Sequence, residues 1–122
     1  MSGGPQQLLA RAVGAVLTLV GVAGFFTGGM LLVFGINPLH NVVHLVTGVL
    51  GLTAGFSAGG QRARQYNQVL GVVYLLVTAL GLAAPALTAR LLAINPADNF
   101  LHLALGIVLT VVGFGVSAKA EA

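Results

Sequence analysis

Cysteine is absent from this 122-residue chain, and charge of either sign is scarce: five basic residues, two acids, 6% charged in all. Without cysteine there is no disulfide, no thiolate nucleophile and no cysteine-ligated metal. Soluble domains carry about 25% charged residues, so a water-soluble fold of this size would lack the polar side chains to cover its surface. The net charge of +3 is spread over few residues. No cluster of Lys/Arg and no aromatic stacking series accompanies it, which argues against nucleic-acid binding. Acids inside the apolar segments, which proton-coupled transport usually needs, are missing too. Asp98 lies near a segment end and Glu121 in the tail.

What is present is apolar surface, 57% of all residues. Residues 12–36 and 69–89 carry no charge, and residues 42–58 and 100–118 carry one histidine each and are otherwise almost all apolar. About 20 residues at 1.5 Å each cross a bilayer. A transmembrane barrel would need alternating apolar and polar residues, and these are absent. The expected fold is therefore an all-α membrane protein with four transmembrane helices in a single domain, residues 1–122. Residues 1–9 lack the features of a cleaved secretory signal, so the first helix is expected to serve as its own insertion signal.

Arg11, Arg62, Arg64 and Lys119 fall on one side of that topology and Arg90 alone on the other. The excess of Lys/Arg marks the cytoplasmic side. Both termini are thus expected in the cytoplasm of a bacterium, the protein being a multi-pass component of the inner membrane. "SAGGQRARQYNQ" (57–68) is the hydrophilic hinge between two halves. Pro38 and Pro96 suit the first turn of a helix, with Asn37 and Asn95 as N-caps. Pro85 is expected to kink or end the third helix, leaving "ALTARLLAI" as an outer linker.

The halves repeat. "NPLHNVVHL" (37–45) and "NPADNFLHL" (95–103) share Asn, Pro, Asn, His and Leu at an offset of 58 residues. Gly48 and Gly106 follow in register, as do Gly55-Phe56 and Gly113-Phe114; with one residue of slippage Gly14 and Gly24 align with Gly71 and Gly81. The expectation is two parallel helical-hairpin repeats, about 8–60 and about 65–118, related by an axis along the membrane normal. His44 and His102 then lie at equal depth, roughly 10 Å below their helix starts. At about 100° per residue, Asn41, His44, Gly48, Gly51 and Gly55 share one stripe of the second helix; Asn99, His102, Gly106 and Gly113 share the matching stripe of the fourth. These stripes should face protein, since unsatisfied polar groups in lipid are costly. The glycine steps are a helix-contact pattern, within the chain or at the seam of a homo-oligomer.

These motifs, two copies of Asn-x-x-His-Leu each followed by a helix with glycine at Gly48 or Gly106, resemble the bacterial four-helix membrane family known as domain of unknown function 4383. The resemblance covers roughly residues 8–118. It implies the fold and no activity, and His40 is not part of its pattern.

Three chemistries suit the stripes. In the first, a structural polar cluster of Asn41, His44, Asn99 and His102 hydrogen-bonds across the bundle and fixes the second and fourth helices. In the second, His44 and His102 ligate haem b axially, with Gly48 and Gly106 leaving room for the macrocycle and Arg90 facing the propionates. In the third, His40, His44, Asp98 and His102 hold Zn²⁺ or Cu²⁺, since the two i, i+4 pairs can each reach one ion. Ser57 and Ser117 lie 13 and 15 residues from His44 and His102. Along a helix that is ~20 Å, too far for a Ser-His-Asp site. The expected role is accordingly structural or accessory, with no enzymatic activity and no cofactor, the chain working in the lipid bilayer as a homo-oligomer or as a subunit of a larger membrane complex.

Overall fold

The computed structural model describes residues 4–117; Lys119 and Glu121, used in the charge argument above, lie outside the described residues, as does the end of the second repeat at residue 118. The chain runs through α1 (Pro5–Gly24), a two-residue strand pair β1 (Met30–Leu31) and β2 (Phe34–Gly35), α2 (Pro38–Phe56), a 3-10 turn (Ser57–Gly60), α3 (Ala63–Ala83), the short α4 (Pro85–Leu92) and α5 (Pro96–Gly115). Four of these helices, α1, α2 with its 3-10 extension, α3 and α5, are long and apolar enough to cross a membrane. The protein is an all-α membrane protein with four transmembrane helices.

All four prolines open a helix, where no intrahelical N–H is lost. α3 accordingly stops at Ala83, and Pro85 starts α4 in a new direction. Asn37 caps α2 by accepting from the His40 backbone N–H at 2.8 Å. Asn95 caps α5 from the Asp98 N–H at 3.0 Å, and the Asp98 carboxylate returns the contact, accepting from the Asn95 N–H at 2.9 Å. This reciprocal capping box satisfies two otherwise orphaned donors.

The apolar run 12–36 is not one helix. α1 ends at Gly24, and Gly28 and Gly29 adopt φ of 71° and 107°, conformations that favour glycine. The chain then doubles back, pairing Met30 with Gly35 and Leu31 with Phe34. Leu32, at φ 57°, makes the turn.

Each long helix packs most closely on one neighbour, α1 on α2 and α3 on α5. Glycine makes this approach possible. A Cβ on Gly14 would lie 2.5 Å from the Leu52 nitrogen, and one on Gly71 would lie 2.6 Å from Thr110 Oγ1. Small residues at such places let helix backbones touch, the main source of packing energy between membrane helices. The two helix pairs meet around Val13, Leu17, Leu70, Tyr74 and Leu109. Leu19, Leu82, Val111 and Phe114 are among the many apolar side chains left exposed for lipid.

Hydrogen bonds close the bundle at both ends. At the end holding the N-caps, Asn37 Nδ2 donates to Leu91 O and Asn95 Nδ2 donates to Val33 O, each at 3.0 Å. Donors and acceptors of the two bonds stand at the same 58-residue offset. At the opposite end Arg11 Nε donates to Gly55 O and Arg64 Nε to Gly113 O, again both at 3.0 Å. Gln6 Nε2 reaches Val112 O at 2.8 Å, and Asn67 Nδ2 donates to Gln6 Oε1 at 2.9 Å.

Candidate functional site

The histidines converge within the first two turns of α2 and α5, at the end that carries the N-caps. His40 and His44 stand on successive turns of α2 with ring centroids 4.3 Å apart, and the His40 and His102 rings are 5.8 Å apart. One ring nitrogen from each of the three lies within 4.8 Å of the others. His40 and His102 are each only 3% exposed, and His44 is half-buried.

Their surroundings decide which nitrogens are free. His40 Nδ1 lies 2.9 Å from Leu92 O. A carbonyl only accepts, so Nδ1 carries a proton; the ring also meets the Gly35 backbone. Nδ1 of His44 and Nδ1 of His102 are buried with no hydrogen-bond partner. Tyr74 adds a ring 5.2 Å from that of His102. A cavity of about 50 Å³ opens among the imidazoles, walled by Val43, Leu70, Val73, Tyr74 and Val77. That is room for one water or one ion. A larger apolar groove, about 530 Å³, lies between α2 and α3 toward Ser57, Arg62 and Gln65, and no histidine lines it.

The structure therefore brings His44 and His102 together and adds His40. It separates the other residues read from the sequence. Asp98 does not join the imidazole group. Its Oδ2 accepts from the backbone N–H of Asn95 and, at 3.0 Å, from that of Gly35, so the carboxylate holds β2 against α5. Of the four candidate metal ligands, the structure groups the three imidazoles and leaves Asp98 on backbone N–H groups.

Asn41 and Asn99 do not bridge α2 and α5. The Asn41 amide abuts Gly24 of α1, while Asn99 Nδ2 donates to Gly81 O of α3 at 3.3 Å. Each asparagine works inside its own helix pair, because the glycine opposite leaves space for an amide and nothing larger. The room for haem b expected beside Gly48 and Gly106 is occupied. A Cβ on Gly48 would lie 2.5 Å from the Thr18 nitrogen and one on Gly106 2.8 Å from Leu75 Cδ2. Both glycines are filled by neighbouring helices and leave no slot for a macrocycle.

Sequence reasoning passed over Gln6 and Asn67, both fully buried. Their signal was available, since an amide inside an apolar span needs a partner. Tyr74 is buried and lines the interior.

The family model for a domain of unknown function, DUF4383, matches residues 7–115, which takes in all but the first two residues of the four spans and every histidine. The chain belongs to the DUF4383 family. Neither the curated proteins nor the solved structures contain a match to it. Membership in DUF4383 brings no activity with it, so the chemistry of this DUF4383 chain rests on its own side chains.

Proposed function

We propose that this protein is a structural or accessory component of the bacterial inner membrane that acts by helix association and not by catalysis. One observation carries the reading: most polar side chains directed into the bundle are spent on holding it together. Asn37, Asn95, Asp98, Arg11, Arg64, Gln6 and Asn67 all bond to backbone or to each other. Thr47, the hydroxyl nearest His44 in sequence, donates to Val43 O of its own helix at 2.7 Å and is not set up as a nucleophile. The chain presents lipid-facing apolar surface and hardly any aqueous domain. Binding energy for a partner would come from helix packing in the bilayer, where small residues and shape decide. Arg11, Arg62 and Arg64 gather at the end opposite Arg90, which supports cytoplasmic termini by the positive-inside rule.

The test is native mass spectrometry of the untagged protein released from its own membranes. The reading expects a mass above the 12.3 kDa chain, as a homo-oligomer or as a defined complex. A bare monomer at native expression level would overturn it.

A further inference from the structure

Six buried side-chain atoms among the described residues lack a hydrogen bond, and two of them, Nδ1 of His44 and Nδ1 of His102, fall in one cluster. We infer that His40, His44 and His102 form a three-imidazole site for a single late first-row divalent cation, Zn²⁺ or Cu²⁺, with its fourth position facing the small cavity beside Tyr74.

Two independent observations point the same way. The first is convergence: one nitrogen from each ring falls within 4.8 Å of the others, from two helices distant in sequence. Tetrahedral bonds of 2.0–2.1 Å separate ligand nitrogens by about 3.3 Å. Closing onto an ion therefore asks the rings to move together by roughly 1.5 Å or less, on that same geometry, into a cavity that is already there. The second is want of partners. His102 is 3% exposed and its Nδ1 has no hydrogen bond, and the buried Nδ1 of His44 has none either. Single oxygens of Asn41, Asn67, Asn99 and Thr110 are also without partners among the described residues, but these two nitrogens belong to rings that converge, and one ion there would satisfy both rings.

His40 shows the further mark of a metal ligand. Its Nδ1–H is donated to Leu92 O at 2.9 Å, which holds the ring in place. Metal-binding histidines almost always carry such an outer contact. Leu92 closes α4, so the second half of the chain orients a ligand contributed by the first.

The donor set selects the ion. Three nitrogens and no oxygen do not suit Ca²⁺ or Mg²⁺, which take oxygen ligands. Imidazole suits Zn²⁺ and Cu²⁺, and Cu²⁺ stands higher in the affinity order. Asp98, at the repeat position of His40, interacts electrostatically with it while its Oδ2 is held by two backbone N–H groups. It supplies counter-charge without ligating.

The experiment uses the untagged full chain in nanodiscs, stripped with chelator and dialysed against micromolar Zn²⁺, Cu²⁺ or Co²⁺. Bound metal is counted by mass spectrometry, and the Co²⁺ spectrum reports coordination. The inference expects one ion per chain, a tetrahedral Co²⁺ spectrum, and at least tenfold weaker binding in each of His40→Ala, His44→Ala and His102→Ala. Asp98→Asn should keep one ion per chain with less than tenfold weakening. Circular dichroism verifies each variant's fold; where alanine unfolds the bundle, His→Gln takes its place, and the wild-type Co²⁺ spectrum needs no variant. Wild-type protein that retains none of the three metals, or histidine variants that retain them as well as wild type, would overturn the site. Loss in Asp98→Asn as deep as in His102→Ala would overturn the three-imidazole set. The oligomer measurement above is unaffected by any of these outcomes, so the two readings fail separately.

Discussion

Replacing Asn37 by alanine and by serine separates two jobs done by one side chain. Its Oδ1 caps α2 through the His40 N–H, and its Nδ2 donates to Leu91 O in the other half. Alanine loses both. Losing an N-cap costs about 1 kcal/mol. The second bond is solvent-exposed, so it sits at the low end of hydrogen-bond values, about 0.5 kcal/mol. Asn37→Ala should therefore destabilise by about 1.5 kcal/mol, summing those two terms. Serine caps almost as well as asparagine but is too short to reach Leu91. Asn37→Ser should cost about 0.5 kcal/mol. Asn95 repeats the arrangement with Val33 O, and Asn95→Ser should cost the same. The sites belong to different helices, and the double serine variant should be near additive, about 1 kcal/mol. The assay is SDS-induced unfolding in mixed micelles, followed by circular dichroism. If the double serine variant unfolded at the wild-type SDS fraction while Asn37→Ala did not, the bonds between halves would carry no weight and the reasoning would fail.

Gly71→Ala should destabilise by about 1–3 kcal/mol through overpacking, because its Cβ would meet Thr110 Oγ1 at 2.6 Å, while Gly115→Ala, with open space around it, should be silent in the same unfolding assay. Asn67→Leu removes the donors to Gln6 and strands Gln6 Oε1 in the interior, at a cost of about 1–3 kcal/mol; the midpoint of thermal unfolding reads it. The chain has no cysteine of its own, so Leu32→Cys and Arg62→Cys can be probed singly in intact cells with a membrane-impermeant maleimide. Leu32→Cys should label and Arg62→Cys should not, and the reverse pattern would invert the topology. Metal binding should weaken as pH falls, because protons compete for the lone pairs that hold the ion, and equilibrium dialysis across a pH series measures it.

The four spans were legible because lipid leaves a plain mark: long charge-free runs punctuated by Gly, Pro and Asn. The caps at Asn37 and Asn95 were legible for the same local reason, as was the break at Pro85. The hairpin at Met30–Gly35 was not. Residues 12–36 are uniformly apolar, and hydropathy alone does not distinguish helix from a doubled-back strand; Gly28 and Gly29 were the available sign. At the site, helical periodicity put Asn41, His44 and Gly48 in one stripe. It could not say that the stripe is shared between two neighbours, with α1 taking Gly48 and Asn41 while α5 brings His102 to His44. Nor could it show that Asp98 would be claimed by Gly35. Tertiary contacts assign partners that periodicity only makes eligible.

The paired bonds from Asn37 and Asn95 have an evolutionary reading. Each half of the chain holds one donor and one acceptor of the same clasp, Asn37 with Val33 and Asn95 with Leu91. Such a contact is isologous, the kind that twofold dimers make. Two identical hairpins would satisfy it as fully as two fused ones. Fusion then frees the copies to diverge, and one position already shows it: histidine at 40 in one copy joins the imidazole cluster, while aspartate at 98 in the other fastens a strand.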